Sequence, residues 1–297
     1  MKQKIKVGII GTGNCAKSLV EGVQYYTEHT EATTGMMKFD IGGYLASDVE
    51  FVVGFDIDER KVNLPLGVAL KQKPNCSWNI VENIDSIAPV FEAPVIDGYA
   101  NLMDRYPEAS RFLVSEELRN STDMNRVSWT PKLERKWKDQ IIAQLKEYGV
   151  EVLVNYLPVG SQKTTEFWAE ICLETGISFV NCIPVFIASD PTWEKRFIDA
   201  GIPLIGDDMR SQFGASILSQ MLQELAFERG HHVKAHIQRN VGGNTDFLNM
   251  EDKGRLASKK ISKENVIRAQ NEIRGISTDD SFLHAGPSEY ISYYGDN

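Results

Sequence analysis

The sequence predicts an α/β fold, a doubly wound parallel sheet followed by a second, smaller α+β domain. Three observations carry this. A glycine-rich turn, Gly11-Thr12-Gly13-Asn14-Cys15-Ala16, stands between a β-rich run and a helical pattern. Apolar strand-like runs alternate with helical ones from about 131 to 205, as parallel strands joined by crossover helices do. After Asp208 the character changes to a long helix and an alternating strand. That change sets a domain boundary, giving 1–208 and 209–297.

The elements follow in order. Residues 5–10, Ile-Lys-Val-Gly-Ile-Ile, read as the first strand. Cys15 to about Tyr26 reads as the first helix, with Leu19, Val20 and Val23 on one face. Thr27–Ser47 dissolves into Thr, Gly and Met, a long surface loop before the strand Val49–Asp56. Residues 63–130 are interrupted by Pro65, Pro74, Pro89, Pro94 and Pro107 and give no clear element. A helix runs from Pro131 to Tyr148, closed by Gly149. Then come strand Val150–Leu157, helix Ser161–Thr175, strand Ile177–Val185, helix Asp190–Ala200 and strand Ile202–Ile205. Asp190-Pro191 starts its helix for a chemical reason: Asp accepts free N–H groups, and Pro needs no partner in the first turn. Beyond the boundary, Ile217, Leu218, Met221, Leu222 and Leu225 keep helical spacing between Ser211 and Glu228. Val233, Ala235, Ile237 and Val241 then alternate on one face of a strand whose other face is solvated or differently covered.

Composition narrows the function. No apolar run approaches the ~20 residues that span a bilayer. Met1-Lys2-Gln3-Lys4 passes straight into a strand with no signal-peptide core, so a cytoplasmic protein with no membrane partner is expected. A net charge of −9 argues against nucleic acid as a partner. It also requires that cations for any anionic substrate be concentrated locally. Cys15, Cys76, Cys172 and Cys182 show no CxxC pair or metal-ligand spacing and read as reduced and mostly structural. His231, His232 and His236 invite a metal reading, but Lys234 shares a strand face with the last two, so they read as surface or interface residues.

Gly11-x-Gly13-x-x-Ala16 fits the dinucleotide turn of a Rossmann fold in its proper context, strand before and helix after. The first glycine permits the turn, the second admits the pyrophosphate, and the small third residue lets helix pack on strand. Gly11, Gly13, Asn14, Cys15 and Ala16 are therefore candidate cofactor residues. Asp56, ending the second strand, is the candidate acid for the adenosine ribose and favours NAD over NADP. The competing reading is that Asp56 caps the turn after its strand.

Several further segments resemble one family. Gly13–Tyr26, Tyr156-Leu-Pro-Val-Gly160, Pro184–Asp190, Gly206-Asp-Asp-Met-Arg-Ser211, Gly242-Gly-Asn-Thr-Asp-Phe-Leu-Asn-Met250 and Ser258-Lys-Lys-Ile-Ser-Lys263 are similar to the myo-inositol-1-phosphate synthases, especially the actinobacterial and archaeal type. The resemblance implies an NAD-dependent conversion of D-glucose 6-phosphate to an inositol monophosphate, in inositol and phospholipid biosynthesis. The sugar is oxidised at C5, enolised, closed by an intramolecular aldol step and re-reduced. It also implies that 209–297 forms an active-site floor and a homotetramer contact. Residues 104–130 look longer than in this group.

The resemblance makes Lys259 and Lys263 catalytic, polarising the C5 oxygen, shuttling protons and holding phosphate. Lys260 belongs with the substrate. Composition supports the assignment, since Lys253, Arg255, Lys259, Lys260 and Lys263 occur with no carboxylate among them. Composition alone equally allows a solvated basic helix end. The resemblance places Asp208 near the nicotinamide and a cation, and Ser211 at the substrate phosphate. Asp208 could instead cap the following helix. Gly243 and Asn244 form a corner suited to substrate or nicotinamide, or an ordinary turn. The family's members differ in using a divalent metal or a monovalent cation, and the sequence leaves that open. A further catalytic lysine and closing elements that the family carries are missing after Asn297, so a fragment or a naturally shortened chain is expected. That keeps two alternatives in view: an NAD-dependent sugar-phosphate dehydrogenase, and an inactive NAD-binding scaffold.

Overall fold

The computed structural model describes residues 3–32, 34–121, 129–209, 213–252, 254–255, 265, 268–275 and 282–292, the side chains of 121 and 282–288 excepted. Six strands form one sheet: β1 (Ile5–Ile10), β2 (Val49–Asp56), β3 (Val90–Glu92), β4 (Val152–Asn155), β5 (Ser178–Asn181) and β6 (Leu204–Ile205). Their order is β3-β2-β1-β4-β5-β6, and every pair is parallel. This is the Rossmann order, in which the winding direction reverses between β1 and β4 and leaves a crevice at the strands' carboxyl ends.

Helix α1 (Asn14–Glu28) follows β1. The short α2 (Leu66–Ala69) and α3 (Glu116–Ser121) lie between β2 and β4, and α4 (Pro131–Tyr148), α5 (Gln162–Thr175) and α6 (Pro191–Ala200) complete the layers. Ile9 and Ile10, adjacent and fully buried, enter two separate cores because consecutive strand residues point to opposite faces. Each such burial is worth roughly 1.5–3 kcal/mol. The helix ends form as the sequence predicts. Thr130 Oγ1 accepts from Leu133 N at 3.2 Å, Pro131 occupies the first turn, and Gly149 closes α4 at φ 64°. Asp190 Oδ1 accepts from Thr192 N and Trp193 N.

β4 and β5 are shorter than their apolar runs suggested, because a polar ladder ends them. Asn155 Nδ2 donates to Asn181 Oδ1 at 2.9 Å, and Asn181 Nδ2 donates to Asp207 Oδ1 at 2.8 Å. Asp207 then accepts from Ile187 N, Ala188 N and Ser189 N. Side chains thus take over the backbone pairing where the chain leaves the sheet. Among its described residues, the unparsed 63–130 region contributes the three-residue β3, the short α2 and α3, turns and an apolar lining. Val95, Tyr99, Met103, Val114 and Leu118 all join the larger core.

After 213 come α7 (Ala215–Glu228), β7 (Ala235–Gly242), α8 (Thr245–Asn249) and β8 (Phe282–Tyr290), with β7 and β8 parallel in a sheet of their own. The apolar faces point the unexpected way. Leu218, Met221, Leu222 and Leu225 of α7 are exposed, as are Ile237 and Val241 of β7. The inner faces are polar: Ser219 Oγ donates to Gln238 Oε1 at 2.9 Å, and Gln223 pairs with His236 and with Asn271. Leu248, in contrast, is buried in the core of the N-terminal body, and Met250 is buried as well. Residues 106–110 meet this region directly, Tyr106 edge-on to Tyr290 and Thr245 Oγ1 donating to Ser110 O. Among the described residues no helix is long and apolar enough to cross a membrane.

Candidate active site

The carboxyl ends of β1, β2, β4 and β5 open into a cavity of about 1080 Å³, closed on one side by residues after 206. Gly11, Gly13, Asn14, Cys15, Asp56, Asp208 and Asn244 all line it. Residues from both sides of position 208 therefore face one another across a single space. Gly11 has φ 83°, and a Cβ there would lie 2.8 Å from Tyr156 O. A Cβ at Gly13 would meet nothing within 4 Å. The turn thus presses on β4 at one glycine and leaves an opening at the next, room that suits a pyrophosphate. Ala16 is fully buried against Ile9, Val20 and Leu66 and packs helix on strand, so it is not a wall residue.

Two cofactor candidates do work within the protein. Asp56 Oδ2 accepts from Thr12 N at 2.8 Å and from Thr12 Oγ1, while Oδ1 accepts from Ile57 N and Asp58 N. All four acceptor positions are engaged, so the turn-capping reading of Asp56 is realised. Burial alone would raise its pKa, but Lys61 at 3.8 Å and these donors outweigh burial and hold the carboxyl below the usual range. Asn14 Oδ1 accepts from Cys76 N and Ser77 N, which ties down the segment after Pro74.

Sequence reasoning missed that segment and the lysines beneath it. Lys61, 1% exposed, donates to Thr12 O at 2.8 Å and Asn75 Oδ1 at 2.9 Å. Lys17, 3% exposed, donates to Ser77 O and Trp78 O. Two buried ammonium groups thus brace the glycine turn and strap residues 75–78 across the start of α1. The available signal was a lysine five residues after Asp56, but its partners come from a region with no periodicity.

The opposite wall is Tyr156, Cys182 and the turn after β6. Burial, then the Cys182 and Cys15 thiols, raise the Tyr156 pKa, and burial pushes the Cys182 thiol up to about 11. Both groups are neutral at pH 7. Cys15 is exposed and lines the cavity, where it was expected as a cofactor residue, unlike the buried Cys172. Asp208 takes φ 61°, with its N–H donating to Ile183 O. Asn244 Oδ1 caps α8 by accepting from Phe247 N at 3.0 Å. Gly243 is half-buried beside Asn244 and off the wall. Ser211, Lys259, Lys260 and Lys263 lie outside the described residues. Among the described residues no group of three or more His, Cys, Asp or Glu side chains is arranged to hold a metal ion.

Residues 214–297 match the family model described as myo-inositol-1-phosphate synthase. Over 296 residues the chain is 38% identical to the inositol-3-phosphate synthase of Corynebacterium glutamicum, covering 98% of this chain and 75% of that protein. The same identity holds over 295 residues to the inositol-3-phosphate synthase of Mycobacterium tuberculosis, covering 99% and 73%. The crystal structure of a myo-inositol-1-phosphate synthase-related protein from Thermotoga maritima shares the fold at a TM-score of 0.73 and 22% identity, covering 99% of this chain and 76% of that one. The chain belongs to the myo-inositol-1-phosphate synthase family.

Proposed function

We propose that the chain is an NAD-dependent synthase that cyclises D-glucose 6-phosphate to 1D-myo-inositol 3-phosphate. One observation carries this reading: Asp208 and Asn244, inside the Gly206–Ser211 and Gly242–Met250 motifs, face the Gly11–Gly13 turn across one cavity. NAD, when bound, supplies a hydride acceptor at C5 and the hydride that later restores the alcohol.

The chain's own residues do the rest. The opening at Gly13 and the start of α1 hold the pyrophosphate. The aliphatic and aromatic walls, Ile10, Phe55, Trp168 and Ile183, exclude water and so strengthen every charge interaction inside. Lys259 and Lys263 polarise the C5 oxygen and move the C6 proton, Lys260 and Ser211 hold the phosphate, and Gly243 shapes the backbone corner behind Asn244. Asp208 stands near the nicotinamide and a cation, and Asn244 fixes the corner against which the sugar rests. Residues 1–208 serve as the cofactor domain, with 209–297 as the catalytic and assembly domain. The outward apolar faces of α7 and β7 support a homotetramer, since such faces are otherwise a solubility liability. Four free cysteines fit the reducing cytoplasm.

The test is incubation with D-glucose 6-phosphate and sub-stoichiometric NAD, measuring inositol phosphate and NADH together. Inositol phosphate without net NADH is the expected result, and Lys259→Ala should lower turnover by about 10²-fold or more while NAD still binds. Accumulating NADH would make the protein a dehydrogenase, and neither product would make it a scaffold.

A further inference from the structure

We propose that Arg255 is a positioning residue, a latch that fixes its own stretch of chain, four residues ahead of Lys259, onto two turns at the wall of the cofactor cavity. Its guanidinium reaches across 96 residues or more to three backbone carbonyls. Nη1 donates to Val159 O at 3.2 Å, and Nη2 donates to Tyr99 O at 2.8 Å and to Asp97 O. These carbonyls belong to two separate turns, 97–99 before α3 and 157–160 after β4. Only a planar fork of donors bridges two such turns at once.

The surroundings are built for this side chain. Gly160 has φ 88°, and a Cβ there would lie 2.6 Å from Arg255 Cγ and 2.8 Å from its Cβ. The arginine stem therefore lies flat on a residue that has no side chain to obstruct it. Asn249, fully buried, donates from Nδ2 to the same Val159 O at 2.7 Å, a second tie from the same stretch of chain. Both docking turns are also fixed from beneath. Asp97 accepts from Lys163 N, Thr164 N and Thr164 Oγ1 at the start of α5, and Ser161 Oγ donates to Pro158 O at 2.6 Å. Gly98, Pro158 and Val159 line the cavity itself. Arg255 thus meets the cavity wall on its outer side.

Chain length makes the consequence. Lys259 follows Arg255 by four residues, so an extended chain carries it at most about 14 Å from the latch. Fixing Arg255 therefore bounds how far Lys259 can lie from the cavity wall. Displacing a catalytic group by as little as ~1 Å costs about 10²-fold in rate. The inference rests on the synthase reading for its effect on turnover, while the docking itself does not.

The test compares wild type with Arg255→Ala in two measurements. In steady-state cyclisation, kcat should fall about 10²-fold while KM for NAD stays within about twofold, because the glycine turn is untouched. In amide hydrogen exchange, peptides spanning 250–265 should lose protection while α5 keeps its own. An unchanged kcat together with unchanged exchange overturns the latch. If wild type makes no inositol phosphate, the synthase reading falls and the exchange measurement alone decides the docking. Should Arg255→Ala fail to fold, Arg255→Lys carries both readouts. It keeps the charge and the stem on Gly160 but cannot bridge the turns, so wild-type kcat and exchange in that variant would also overturn the proposal.

Discussion

The sheet and the region after it bury opposite chemistry. Behind the sheet, Phe55, Trp168, Ile171 and Phe179 fill a continuous apolar core. Between α7 and β7 the contacts are Ser219 with Gln238 and Gln223 with His236 and Asn271, while Leu222 and Ile237 face outward, 66% and 62% exposed. Both regions have amphipathic helices and strands of ordinary pattern. They differ in what covers the apolar side: in the first another layer of the same chain, in the second nothing from the described residues. Amphipathicity therefore states that a face will be covered, and leaves open which molecule covers it.

Truncating the first region's core should have the largest effect. Trp168 is fully buried, 4.9 Å from the Phe55 ring centroid, and Trp168→Ala should cost roughly 3–5 kcal/mol of unfolding free energy in urea titration. A cost under 1 kcal/mol would mean that this interior is not the close-packed core described. The second region should respond differently. Leu222→Asp places a charge on a face already open to water within the chain, so secondary structure should survive. The proposed homotetramer should not, because a charge left buried and unpaired in an interface costs about 2–5 kcal/mol, read as a shift to a smaller species in sedimentation velocity. An unchanged sedimentation coefficient would leave that face without a partner and remove the contrast.

Legibility followed sequence distance. The Gly11–Ala16 turn, the Pro131–Tyr148 helix with its Gly149 stop and the Asp190 cap could be read because each is settled by residues within one or two turns of chain. The cavity's outer features could not. Lys61 meets Asn75, Asn14 meets Ser77, and Arg255 meets Tyr99, and these partners come from turns whose backbone follows no repeat. Asp56 was read in the right place, on the cavity wall, and of its two readings the turn cap is the one that Thr12 and two further backbone N–H groups display. The inverted faces of α7 and β7 were legible as faces but not in their direction.

Buried polar groups sharpen the contrast further, since those near the cavity carry charge and those under α7 are chiefly neutral amides and hydroxyls. Asp56 has a folded pKa below its unfolded value of about 3.9. Its contribution is therefore fully present above that unfolded value and is lost as pH falls through the lower folded value. Asp56→Asn keeps the shape but turns an amide N–H₂ toward donors, and an unsatisfied buried group costs about 1–3 kcal/mol. At pH 7 the variant should be less stable by that amount, with a raised KM for NAD because Thr12 is loosened. Below about pH 4 the gap should close from the wild-type side, as Asp56 takes up its proton. Ser219→Ala, which removes a neutral partner of Gln238, should instead cost the same ~1 kcal/mol at both pH values in urea titration. If both variants showed the same pH dependence, the distinction between a charged site and a neutral underside would have no energetic basis.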